Sequence, residues 1–94
     1  MRILGTIPHP LLKITIFRME NRVSIKFENA GYEQTFKLGT DERYQTLEAI
    51  QQWVDEKLLA DVLDQMSAMH QSRLAADQRA FPTQEQAEAF EEII

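Results

Sequence analysis

Histidine is the side chain best suited to proton transfer or metal ligation near neutral pH. It occurs twice in this 94-residue chain, as His9 and His70. The two are far apart in sequence, and His9 stands in a proline corner, Pro8-His9-Pro10. His70 follows Met66 and Met69 at helical spacing. Imidazole with thioethers suits a soft metal, but Met on a helical stripe usually fills gaps in a core, so no metal site is expected. Asp61 and Asp64 lie three residues apart, as do Glu88 and Glu91. Such carboxylate pairs can serve acid–base chemistry or bind cations, yet on an acidic helix they are ordinarily solvated. Ser24, Ser67 and Ser72 have no neighbouring His and Asp in a nucleophile-elbow context. Gly5, Gly31 and Gly39 are too scattered for a phosphate-binding loop. Cysteine is absent, which removes disulfides and thiolate chemistry. The expectation is a protein that is not an enzyme and carries no cofactor.

Charge and hydropathy point to surfaces rather than to a catalytic centre. Residues 1–38 hold six basic and three acidic side chains, net +3, whereas residues 39–94 hold four basic and twelve acidic ones, net −8. A split between halves bears on association. The alternating pattern of the first half gathers Lys13, Phe17, Met19, Arg22, Lys26 and Lys37 on one face, the candidate interaction surface. Lysines beside an exposed aromatic are the ingredients of single-strand binding, with phosphates on Lys and a base stacked on Phe. The net charge of −5 opposes a polyanion, so single-stranded nucleic acid is the alternative and a protein partner is preferred.

These residues must be placed by strands and helices. Arg22–Glu28 alternates apolar and polar residues strictly, Leu12–Arg18 does so with Phe17 out of phase, and Tyr32–Leu38 with Gln34 as its one polar inward position, the period of half-buried antiparallel strands. A two-residue turn at Glu20-Asn21 sets Ile16 opposite Ile25, Ile14 opposite Phe27 and Lys13 opposite Glu28. The next turn, within Asn29–Tyr32, is expected to use a positive φ at Gly31. It sets Glu28 opposite Glu33, Ile25 opposite Phe36 and Val23 opposite Leu38. Residues 2–7 form a further strand, paired within the chain or with another one.

The period then changes to that of helices. Thr40 or Asp41 is expected to cap a helix with the stripe Leu47, Ile50, Val54, and Asp55 a second one with the stripe Leu59, Val62, Met66, Met69, Arg73. Thr83-Gln84-Glu85-Gln86 matches a capping box and predicts a short acidic C-terminal helix over 83–94. The expected fold is one α+β domain over 1–94. Residues 1–38 form an antiparallel meander of three to four strands. Two to three helices follow, those of 40–79 packed on one face. The expected core is Leu12, Ile14, Ile16, Val23, Ile25, Phe27, Phe36, Leu38, Leu47, Ile50, Trp53, Val54, Leu59, Val62 and Met66.

A compact chain of this length has a radius of gyration of about 12 Å. A helix over 55–79 spans roughly 37 Å, and so outruns the body. A homodimer is therefore expected, with candidate dimer surface Leu59, Val62, Met66, Met69, Phe90 and Ile94. No stretch reaches the ~18 apolar residues of a membrane span, and residues 1–7 are too short for a secretory core. The expectation is a cytoplasmic interaction or adaptor module without membrane contact.

Overall fold

The computed structural model describes residues 1–82. Four strands, β1 (Arg2–Ile7), β2 (Lys13–Met19), β3 (Arg22–Glu28) and β4 (Glu33–Gly39), form one antiparallel sheet in the order β1-β2-β3-β4. A single 3-10 turn, Glu42–Tyr44, leads into α1 (Leu47–Trp53) and the long α2 (Glu56–Ala80). The described residues thus form an α+β meander followed by two α-helices. Residues 83–94, with Phe90, Ile94 and the expected acidic helix, lie outside the described residues.

The β2–β3 hairpin has the expected register, with Ile16 opposite Ile25, Ile14 opposite Phe27, Lys13 opposite Glu28 and Met19 opposite Arg22. Its two-residue turn holds Glu20 at φ 56°, the left-handed region that such turns demand. β1 pairs in cis with β2 and is interrupted by a bulge between Ile3 and Gly5. Leu4 faces the core as its neighbour Ile3 faces away, and the bulge sets the next residue, Gly5, opposite Ile16 on the core side too.

The β3–β4 hairpin departs from expectation in two places. Gly39, not Gly31, is the described glycine with positive φ, at 84°. The Asn29 carboxamide oxygen instead fixes the turn by accepting from the backbone N–H groups of Gly31 and Tyr32, at 2.9 and 2.8 Å. Glu28 opposes Glu33 and Ile25 opposes Phe36 as expected, but Val23 opposes Gly39 rather than Leu38. A bulge between Val23 and Ser24 shifts the last pair and turns the chain toward the helices.

The first helix starts later than its stripe implied. Asp41 caps only the 3-10 turn, accepting from the backbone N–H of Arg43 at 2.8 Å. The Arg43 side chain also donates to the Asp41 carboxylate, and this bond, then the backbone one, holds that carboxyl below its usual range. Thr46 is the cap of α1, accepting from Ala49 N–H at 3.1 Å. Asp55 caps α2 as expected, accepting from Leu58 N–H at 2.8 Å.

Leu12, Ile14, Ile16, Val23, Ile25, Phe27, Ile50, Val54, Val62 and Met66 form the buried core, with Phe36, Leu38, Trp53 and Leu59 half-buried around it. Leu47 alone of the expected core is exposed, at 40%. It sits at the start of α1 and covers Gly5, where an added Cβ would lie 3.3 Å from its Cδ1. Arg18 points to the helical side at the end of β2, and its guanidinium donates to the Gln45 backbone and side-chain oxygens at 3.0 and 2.8 Å. Gln45 in turn donates to the Asn21 carbonyl at 2.9 Å. These bonds tie the 3-10 segment to the first hairpin.

Candidate interaction surfaces

The sheet face away from the helices gathers the sequence-derived interaction residues. Phe17 pairs with Ser24, Met19 with Arg22 and Thr15 with Lys26 across β2–β3, and Ser24 pairs with Lys37 across β3–β4. Residues directly opposite in antiparallel strands share a face. Lys13, Phe17, Met19, Arg22, Lys26 and Lys37 therefore do lie together. Ile3, opposite Phe17, adds an apolar neighbour that the sequence pattern did not supply. The Lys26 ammonium sits 5.4 Å from the Phe17 ring centroid and also 3.7 and 4.0 Å from the Glu28 and Glu33 carboxylates. The face is thus a basic field with an apolar corner of Ile3, Phe17 and Met19 and an acidic end at the β3–β4 turn. Lys13, Met19, Arg22, Thr35 and Lys37 on it are all exposed.

The sequence-derived dimer stripe divides. Val62 and Met66 are buried against the chain's own sheet, and Leu59 is half-buried beside them. Met69 is 37% exposed, with the Gln34 carboxamide nitrogen 3.9 Å from its sulfur. Val62 and Met66 therefore belong to the core and not to an outer surface. The heptad spacing was legible, but sequence does not say which of two parallel seams meets the sheet.

Past His70 the helix leaves the body. Among Gln71 to Ala80 only Ala75 is even half-buried. Leu74 is 43% and Phe81 56% exposed. Leu63, Ser67, His70, Leu74, Asp77 and Phe81 recur at steps of four and three, a second seam beside the first. Its inner half borders a cleft.

That cleft, of about 600 Å³, lies between α2 and the β3–β4 turn and is lined by Leu11, Leu63, Met66 and Tyr32 together with Ser67, His70 and Arg73. The Tyr32 hydroxyl and His70 Nδ1 share a hydrogen bond of 2.8 Å, their rings edge to face at 5.8 Å. Asn29 Nδ2 reaches the Met66 sulfur at 3.4 Å. The Asn29 side chain thus both shapes the turn and seats it on α2. Among the described residues no carboxylate lines this cleft. His70 was legible only as a histidine on a Met-rich stripe. Its partner Tyr32 comes from a turn 38 residues away, which no local pattern can join to it.

His9 accepts from the Leu11 backbone N–H at 3.1 Å and so braces the corner between β1 and β2. Among the described residues no group of three or more His, Cys, Asp or Glu could hold a metal ion, and no helix is long and apolar enough to cross a membrane. Compared with known proteins, the chain matches no family model, no curated protein and no solved structure.

Proposed function

We propose that the chain is a small cytoplasmic interaction module, an adaptor that works as a homodimer built on the outer half of α2. The observation that carries this reading is the exposed arm from Gln71 to Ala80, with Leu74 and Phe81 uncovered on it. The arm continues the 25-residue α2 without a break, yet it carries its apolar side chains past the sheet into water. A second copy of the same arm supplies the missing apolar contact, and isologous pairing is the commonest way to do so. The basic outer face of the sheet then remains for an unlike, acidic protein partner. Sedimentation equilibrium at high micromolar concentration should give about twice the chain mass of 11.0 kDa. Leu74→Glu should weaken the dimer by about tenfold or more. A species that stays at one chain mass across the concentration range would refute the reading.

A second reading, single-stranded nucleic-acid binding, is favoured by the Lys26–Phe17 stack on an uncovered face that also carries Lys13, Arg22 and Lys37. Here the affinity for an oligonucleotide should fall steeply with salt, and Phe17→Ala should cost about 1–3 kcal/mol. No detectable binding at low salt removes it.

A further inference from the structure

We infer that the Tyr32–His70 cleft is filled by Phe81 of a second copy, with the two-fold axis passing at Leu74. This inference rests on the homodimer reading and assigns its register.

The seam of α2 carries the argument. Ser67, Leu74 and Phe81 are spaced by seven residues each. The step from Ser67 to Leu74 is two helical turns, about 10.5 Å, and keeps one face. Phe81 is the C-cap of α2, its backbone N–H still donating to the Asp77 carbonyl at 2.8 Å, and stands one such step further along the axis. Leu63, Ser67 and His70 on that face border the cleft, so Leu74 and Phe81 continue the cleft wall outward along the arm. Two antiparallel arms crossed at Leu74 place the two Leu74 side chains against each other. They also set the partner's Phe81 level with Ser67. That is the level at which Leu63, Met66 and the Tyr32–His70 pair present an apolar recess with polar walls.

Charge follows the same register. Asp77 is the sole acid between Gln71 and Ala80. The two-fold sets it opposite the partner's Gln71, within one turn of the partner's His70 and Arg73. The cleft itself is bordered by Arg73 and, among the described residues, by no carboxylate. The contact is made twice, once at each end of the crossing, as isologous symmetry requires. A crossing at Met69 would instead set Phe81 level with Lys57, and a crossing at Phe81 would pair the two Phe81 rings with each other; either leaves the cleft empty.

Because the natural chain has no cysteine, single thiols can test the register in the full-length protein. Leu74→Cys, oxidised mildly, should convert nearly all of the chain to a disulfide-linked dimer, because residues on the two-fold meet at the separation a disulfide needs. Gln78→Cys should stay unlinked. Ser67→Cys mixed with Phe81→Cys should give the hetero-linked pair in preference to either homo-linked one. Phe81→Ala should weaken the dimer by about tenfold or more and abolish any concentration-dependent shift of the Tyr32 and His70 ring resonances. A dimer by sedimentation in which Leu74→Cys remains unlinked overturns the register and leaves the dimer standing. A chain that sediments as a monomer at every concentration overturns both. These cysteine positions are exposed, so loss of the fold does not confuse the result.

Discussion

Phe27→Ala should destabilise the protein by about 3–5 kcal/mol, the range for truncating a fully buried aromatic. Phe27 is completely buried on β3, between Ile14 on β2 and Gln34 on β4. Its ring meets Phe36 edge to face, with centroids 5.8 Å apart and planes at 89°. Phe36 meets Trp53 of α1 in the same manner at 5.6 Å. The substitution thus removes apolar burial, opens a cavity in the middle of the sheet, and takes away the ring on which a chain of aromatics linking strand to helix depends. Such pairs add about 0.5–1.5 kcal/mol beyond burial. Domains of this size have roughly 5–15 kcal/mol in all, so the urea midpoint should fall by a large fraction. A shift equivalent to less than ~1 kcal/mol would mean that β3 does not carry its odd-numbered residues inward.

Met66→Lys should cost at least about 3 kcal/mol and act on folding, not on association. Met66 is 3% exposed, and its sulfur receives the Asn29 carboxamide. Lysine there loses the packing and the contact, and its ammonium must either be buried without a carboxylate partner or snorkel into the cleft. Met69→Lys, three residues on, should change the urea midpoint by less than ~1 kcal/mol, because Met69 is already 37% exposed. Equal midpoints for the two variants would mean that α2 is rotated from the orientation described. The contrast also separates the two seams of α2. Charge on the inner one should unfold the domain, whereas charge at Leu74 on the outer one should leave the fold intact and, on the proposed reading, act on association alone.

The sheet was readable from sequence because its signal is local. Strict alternation in Arg22–Glu28 leaves one face for the core, and a slip of one residue would put Lys26 inside, so the register with β2 follows from side-chain chemistry. The differences arose where backbone geometry competes with pattern. Leu38 fits the alternation, yet the bulge displaces it by one place, since the chain must turn at Gly39 to start toward the helices. Leu47 fits the stripe of α1, yet it lies in the first helical turn over Gly5 of the edge strand β1, with too little around it to be buried. The candidate surfaces divide likewise. The basic sheet face follows from alternation alone, so its six residues were legible. The cleft depends on how far along α2 the sheet extends. That is set by the Tyr32–His70 and Gln34–Val62 contacts, which pair side chains from distant elements.

The meander order has a kinetic consequence. Every strand pairs with its neighbour in sequence, through connections of two to five residues. Each sheet contact therefore closes only a short loop, with little entropy lost before the first hydrogen bonds form. Chains rich in such short-range contacts cross their folding barrier fast, and those dominated by distant pairings cross it slowly. The β2–β3 hairpin, with its tight turn and its Ile14–Phe27 and Ile16–Ile25 pairs, is the natural nucleus. α2 can dock only on a sheet that already exists, because Val62 and Met66 are buried in the core that the sheet lines, with Gln34 of β4 and Asn29 of the β3–β4 turn reaching them. Helix docking is thus the late step of the pathway, and substitutions at Val62 should act mainly on the rate of unfolding while those at Ile25 slow the approach to the native state.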